Sequence, residues 1–247
     1  MPRTDVAVPT GDGVCAATLH TPAGDAPSPA VILYPDAAGP RETFAVMADR
    51  LAALGYAVLL PDPYYRTGGY APFDVATVFG DPDERKRLMD LVASVTAETI
   101  VRDTGAFLTF LESRSEVSGT AVGTTGYCMG GRASLTAAGH YPGRIAAAAS
   151  FHGGNLAKED DPDSPHLRAD RIGASVYVAG AEDDASFPAE QAERLEGALT
   201  GAGVRHTVET YPAAHGFAVA DNPTYDADAA ERHWAALTRL YADTLGG

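Results

Sequence analysis

The sequence predicts an α/β fold in which helices cover both faces of one mostly parallel central sheet. The chief observation is that short apolar runs alternate with segments of helical periodicity along most of the 247 residues. A second observation is that the stretch before Thr21 departs from this alternation and predicts a hairpin at the sheet edge. The third is the length, which a single α/β domain can reach, so we expect residues 1–247 to form one domain.

Turn and capping signals set the boundaries of the predicted elements. In the hairpin, Thr10-Gly11-Asp12-Gly13 separates a strand at 4–8 from a strand at 14–19. Gly55 occupies the position of a C-cap glycine after the first helix, and Asp81-Pro82 begins a later one. The other strands are predicted at 31–34, 56–60, 120–125, 145–151, 175–179 and 204–211, and the helices at 44–54, from 82, after Thr96, from 132, at 188–200 and at 226–245.

The composition and the charge exclude several classes of function. A formal net charge of −15 repels phosphate backbones and anionic membranes, so we expect neither nucleic acid nor a membrane as a partner. The chain has 2 cysteines, too few for a disulfide framework, which favours a reducing, cytoplasmic location. We see no secretory signal, no membrane-spanning apolar stretch and no cluster with metal-ligand spacing, and we expect no metal or other cofactor.

The sharpest motif is Gly126-Tyr127-Cys128-Met129-Gly130-Gly131, which follows a predicted strand and opens a helix. This is the context of the nucleophile elbow of α/β-hydrolases. Glycine is needed two residues before and two residues after the centre, because side chains there would collide with the neighbouring strand and helix. We therefore predict Cys128 as the nucleophile. The positive end of the helix favours its thiolate, and the Met129 N–H is a candidate oxyanion donor.

The base and the acid should follow the nucleophile along the chain, with the acid first. His215 lies after the last predicted strand and is the predicted base. The acid should come at the end of the preceding strand, where Glu182-Asp183-Asp184 offers three carboxylates. We prefer Asp184 over Asp183 as the group that accepts the Nδ1–H of the histidine.

Together these residues resemble the dienelactone hydrolase family. The likeness extends from the strand at 31–34 to Phe217, and its most specific pieces are residues 126–131, 61–64, 182–188 and 215–217. The resemblance implies that Cys128 attacks an ester carbonyl, that His215 relays the proton, that Asp184 orients the imidazole, and that water hydrolyses the acyl-enzyme. It also implies that Asp36 corresponds to an acidic residue near the thiol and that the Ala37 N–H is the second oxyanion donor. For Asp36, a plain turn after the strand is the alternative interpretation.

The substrate expected from this resemblance is a small ester or lactone. The family archetype has an arginine four residues beyond the catalytic histidine to grip a substrate carboxylate, and Val219 stands at that position. With the charge of −15, this favours a neutral or less polar substrate, unless Arg41, Arg66 or Arg85 replaces the lost anchor.

Three further residues are candidates for the substrate pocket, namely Asp36, Tyr64 and His152. For His152, at the carboxyl end of a predicted strand, a plain loop position is the alternative. We expect a monomer or a small homo-oligomer. Competing functions are a non-catalytic binding protein of this fold and a redox-sensing thiol, for which Cys15 is a poor resolving partner.

Overall fold

A computed structural model describes residues 1–246 and places one eight-stranded sheet at the centre. The strands are β1 (Arg3–Thr10), β2 (Gly13–His20), β3 (Ser28–Tyr34), β4 (Ala57–Pro61), β5 (Val117–Tyr127), β6 (Ile145–Phe151), β7 (Ser175–Ala181) and β8 (His206–Tyr211). The helices are α1 (Glu42–Ala53), α2 (Pro82–Ser94), α3 (Ala97–Glu112), α4 (Met129–His140), α5 (Ala189–Gly201) and α6 (Ala227–Thr244). Short 3-10 helices occupy Tyr65–Thr67 and Pro165–Arg171.

The strand order across the sheet is β1-β2-β4-β3-β5-β6-β7-β8. Strands β3 to β8 run parallel, whereas β1 and β2 form an antiparallel hairpin whose second strand pairs antiparallel with β4. The predicted fold class and the edge hairpin are confirmed. The chain moves outward from β3 to β4 and then returns to β5 on the other side of β3. The carboxyl ends of β3 and β5 therefore border the crevice where sheets of this kind bind ligands.

Helices cover both faces because the central strands are apolar on both sides. In β3, Val31 and Leu33 belong to the core cluster under α1 and α6, whereas Ile32 belongs to the cluster under α3, α4 and α5. A small third cluster joins Phe73, Val78 and Leu88 to Ala38, so the segment around α2 packs on the turn that follows β3.

Most predicted boundaries lie within a few residues of those in the structure. Gly55 has a φ of 100°, as a C-cap glycine requires. The Asp81 carboxylate accepts the N–H groups of Asp83 and Glu84 at the start of α2. The largest difference at a helix start concerns α4, which begins at Met129 and not at Arg132, because the elbow turn leads into the helix without a loop.

The described residues contain neither a membrane-spanning helix nor a cluster of metal ligands. None of the helices within residues 1–246 is long and apolar enough to cross a bilayer. Over the same residues, no three His, Cys, Asp or Glu side chains converge as a metal ion would require.

Candidate active site

Cys128 joins β5 to α4 in a turn so tight that its backbone has a φ of 54°, a conformation that costs most residues energy. A Cβ on Gly126 would lie 1.8 Å from the carbonyl oxygen of Gly130, and one on Gly130 would lie 2.2 Å from that of Tyr34. The predicted need for glycine at both places is confirmed. The Cys128 N–H donates to the Phe151 carbonyl at 3.2 Å, which fastens the elbow to the end of β6. The thiol is free and half-buried.

His215 and Asp184 meet on neighbouring loops at the carboxyl ends of β8 and β7. The His215 Nδ1 lies 2.6 Å from Asp184 Oδ2 and donates to it, because an ionised carboxylate can only accept. The other Asp184 oxygen accepts the N–H of Ser186 at 2.9 Å and its hydroxyl at 2.6 Å. Asp183 has a φ of 54° and an exposed side chain, so the turn brings Asp184 to the histidine and leaves Asp183 in solvent.

The charged forms of His215 and Asp184 stabilise each other. Burial opposes the charged form of His215, but hydrogen bonds and charge interactions with Asp184 and Cys128 outweigh it and raise the pKa of His215 to about 10. Burial also opposes the Asp184 carboxylate, yet hydrogen bonds from His215 and Ser186 keep the pKa of Asp184 below its usual value. The arrangement therefore favours a positively charged His215 imidazole beside an ionised Asp184 carboxylate.

Two backbone N–H groups border the elbow without a protein acceptor among the described residues. One belongs to Ala37 in the turn after β3, and the other belongs to Met129, the first residue of α4. The turn is held by the Ala38 N–H, which donates to Asp36 Oδ1 at 3.0 Å, and by the Tyr64 hydroxyl, which donates to the Ala37 carbonyl at 2.7 Å. Unpaired N–H groups beside a nucleophilic side chain can donate hydrogen bonds to a developing oxyanion.

The Asp36 carboxylate forms a salt bridge with an arginine. Both Asp36 oxygens accept from Arg41, at 2.7 and 2.9 Å. The same guanidinium donates to both oxygens of Asp221, at 2.7 and 2.8 Å, on the segment between His215 and α6. Arg41 thus ties the turn that contains Ala37 to the loop that contains His215. Within residues 1–246, the Asp36 side chain accepts hydrogen bonds from Arg41 and the Ala38 N–H, and it has none with Cys128.

The other two candidate pocket residues lie one layer behind the surface that a substrate would touch. Tyr64 and His152 are each 1% exposed. The Tyr64 hydroxyl supports the Ala37 turn and lies 3.6 Å from the Met129 sulfur. The His152 ring packs against His215, with 5.1 Å between ring centroids. Both side chains therefore touch groups that border Cys128.

Most of the candidate residues for binding a substrate carboxylate are either buried or already paired with carboxylates of the protein. Val219 is fully buried in the core cluster under α1 and α6, so it offers a substrate neither charge nor surface. Arg66 donates to both oxygens of Asp103 and also to Asp12, far along the chain. Like Arg41, it is already paired with two carboxylates.

Sequence reasoning assigned no role to two residues that the structure brings to the site. Ser186 holds the Asp184 carboxylate, and only its place two residues beyond Asp184 could have pointed to it, since a serine there can bond back to the aspartate. Asp221 is 180 residues from Arg41, and no local pattern predicts such a pair.

Comparison with known proteins identifies relatives with this architecture. The chain matches the sequence profile of the dienelactone hydrolase family over residues 15–245. A protein of Methylorubrum extorquens named "Putative carboxymethylenebutenolidase" is 28% identical over 237 residues, which cover 94% of this chain and 78% of the relative.

Two solved structures cover almost the whole chain. One is a Klebsiella pneumoniae protein described as a "Putative Dienelactone Hydrolase". It has a TM-score of 0.83 at 25% identity, and the match covers 98% of both chains. The other, a dienelactone hydrolase-like promiscuous phosphotriesterase from metagenomic libraries, has a TM-score of 0.77 at 27% identity and covers 100% of both chains. With the profile match across nearly all residues, the chain belongs to the dienelactone hydrolase family and is a hydrolase.

Proposed function

We propose that this protein hydrolyses small, uncharged esters or lactones through Cys128, His215 and Asp184, with an acyl-enzyme intermediate on the thiol. The observation that carries the proposal is the His215–Asp184 hydrogen bond of 2.6 Å beside a cysteine held at a φ of 54°. A nucleophile, a base and a group that orients the base are the parts that acyl transfer needs. We further propose that residues 1–247 act as one domain around the single sheet.

In the first half of the reaction, the Cys128 thiolate attacks the carbonyl carbon of the ester. The carbonyl oxygen becomes an oxyanion and accepts the N–H groups of Ala37 and Met129. When the intermediate collapses, the C–O bond to the alcohol breaks and the departing alkoxide takes the proton from His215 Nε2. The acyl group then remains on Cys128 as a thioester, and His215 is neutral.

In the second half, water attacks the thioester carbonyl while neutral His215 accepts one of its protons. The same two N–H groups stabilise the second oxyanion. The C–S bond then breaks, which releases the carboxylic acid and restores the thiolate–imidazolium pair. Asp184 accepts the Nδ1–H throughout, so Nε2 stays directed toward the thiol.

An uncharged substrate fits the electrostatics best. The chain carries a net charge of −15, Val219 is buried, and Arg41 and Arg66 are each paired with two carboxylates. A substrate carboxylate that used Arg41 or Arg66 would have to displace one of these partners. The phosphotriesterase activity in the description of one structural relative makes a neutral phosphotriester a sensible member of any substrate panel.

A redox-sensing thiol is a weaker candidate for Cys128, because the second cysteine is unsuited to resolve it. Cys15 is 0% exposed in β2, and its Sγ lies 3.4 Å from the Asp62 carbonyl oxygen. Burial raises the pKa of Cys15 to about 12, so it remains a thiol at neutral pH.

The test is a panel of p-nitrophenyl esters, small lactones and a neutral phosphotriester, with Cys128→Ala as the inactive control and Cys15→Ala as the matched cysteine control. We expect ester or lactone turnover that disappears only in Cys128→Ala, and a higher kcat/KM for a methyl ester than for the corresponding free carboxylate. Turnover that survives in Cys128→Ala would refute the nucleophile. A preference for the carboxylate would refute the substrate class.

A further inference from the structure

One buried side chain beside the candidate triad has no partner for its polar atoms. His152 directly follows β6, and neither ring nitrogen has a hydrogen-bond partner among residues 1–246. Its backbone also has a φ of 40°, which is unusual for a residue with a side chain. Unpaired buried nitrogens and a left-handed backbone both cost stability, and such costs concentrate at functional sites.

The surroundings of His152 are aromatic, and the base is part of them. The His215 and His152 rings lie 5.1 Å apart at an interplanar angle of 62°. The Phe217 ring lies 5.1 Å away at 81°, and the Tyr127 ring lies 6.0 Å away. His152 therefore forms part of the wall against which the His215 ring rests.

The loop that contains His152 is fastened to the loop that contains the acid. The His152 N–H donates to the Ala179 carbonyl at 2.8 Å, at the end of β7. The Asn155 N–H donates to the Ser186 carbonyl at 2.7 Å, two residues beyond Asp184. The ring is thus held at a fixed place relative to both Asp184 and His215.

We infer that His152 is a positioning residue for His215. The His152 ring holds the His215 ring toward Cys128 and gives the charged form of His215 a neutral, polar neighbour. A phenyl ring would pack in the same aromatic surroundings without unpaired nitrogens, so stability alone does not account for an imidazole here. The inference rests on the proposed function, because it assigns His152 to the base of that triad.

The charge state of His152 suits this role. The titratable groups that face it are His215, His233, Asp184 and Tyr127. Burial, together with the nearby charge of His215, keeps the pKa of His152 well below its ordinary value. The ring is therefore uncharged at neutral pH and does not repel the His215 imidazolium.

The test compares His152→Phe, which keeps a ring but removes the nitrogens, with His152→Asn, which keeps a polar group but removes the ring. The matched control is His233→Phe, because His233 lies in the same aromatic region with both nitrogens paired, to Tyr127 at 3.0 Å and to the Ala230 carbonyl at 2.6 Å. Three quantities are measured: the Tm, the pH dependence of Cys128 alkylation by iodoacetamide, and kcat and KM for p-nitrophenyl acetate.

We expect His152→Phe to keep or raise the Tm while its alkylation profile shifts toward higher pH by about one unit, so that alkylation below the midpoint of the profile slows roughly tenfold. Its kcat should fall while KM is unchanged. His152→Asn should lower the Tm and keep an alkylation profile closer to that of the parent. His233→Phe should lower the Tm and leave the profile unchanged.

An unchanged alkylation profile in His152→Phe would overturn the inference, as would losses in all three variants that simply follow their Tm. Alkylation needs no ester substrate. If the parent hydrolyses nothing in the panel, the proposed function fails, and the alkylation profiles still decide the role of His152.

Discussion

Replacing Arg41 by methionine should destabilise the fold strongly, because one guanidinium pairs with two carboxylates. The Arg41 side chain is 17% exposed, and those of Asp36 and Asp221 are 9% and 33% exposed. Removing one member of a largely buried ionic group leaves uncompensated charge and costs about 3–5 kcal/mol. At about 2–4 °C per kcal/mol for a chain of this size, the Tm should fall by roughly 6–20 °C.

The matched control for Arg41→Met is Lys86→Met, which breaks a pair with Asp90 whose side chains are 75% and 65% exposed. An exposed pair of this kind contributes about 0–1 kcal/mol. Urea unfolding, monitored by circular dichroism, gives the free energy of unfolding of each variant. The double variant Arg41→Met/Asp36→Asn should recover part of the loss, because it removes one of the two unpaired charges. If Arg41→Met lies within about 1 kcal/mol of Lys86→Met, the Arg41 group does not hold the two loops together.

Three other predictions concern the chemistry. Asp184→Asn should lower kcat by roughly 10⁴-fold and Asp183→Asn should leave it unchanged, and a larger loss in the second variant would reverse the assignment of the acid. Tyr64→Phe removes the O–H donor to the Ala37 carbonyl, so kcat for p-nitrophenyl acetate should fall about fivefold to tenfold with KM unchanged; an unaltered kcat would show that this hydrogen bond does not position the oxyanion donor. Because the pKa of His215 is raised to about 10, the imidazolium persists at neutral pH, and alkylation of the parent by iodoacetamide at about pH 7 should be faster than that of His215→Ala. In His215→Ala the rate should instead climb steeply toward about pH 8.5, where an ordinary thiol ionises, and coincident profiles for the two proteins would contradict the ion pair.

The features that local sequence predicted are those whose cause is local. The tight turn at Cys128 requires glycine two residues before it and two residues after it. The motif at 126–131 therefore predicted both the elbow and the helix that follows. Asp81 and Thr96 accept N–H groups at the starts of α2 and α3, as their positions before helical patterns indicated. The order of the loops then placed His215 and Asp184 at one edge of the sheet.

The features that the sequence did not predict depend on pairings between distant segments. The sequence indicated that Asp36 corresponds to an acidic residue near the thiol. Only the folded chain shows that Asp36 pairs with Arg41, which also pairs with Asp221. His152 and Tyr64 were expected at a substrate surface because strand ends usually meet ligands there. Their burial follows from how the loops after β4, β6 and β8 pack together, which no short motif specifies.

The most direct test of the proposed mechanism is the mass of the intact protein during turnover of p-nitrophenyl acetate, quenched in acid within the first turnovers. We expect a fraction of the protein to gain one acetyl group, and peptide mapping to place it on Cys128, with no adduct in Cys128→Ala. Because His215 also serves as the base for deacylation, His215→Ala given excess substrate at alkaline pH should retain the adduct longer than the parent. Steady release of p-nitrophenol without any adduct on Cys128 in either protein would contradict covalent catalysis by this thiol.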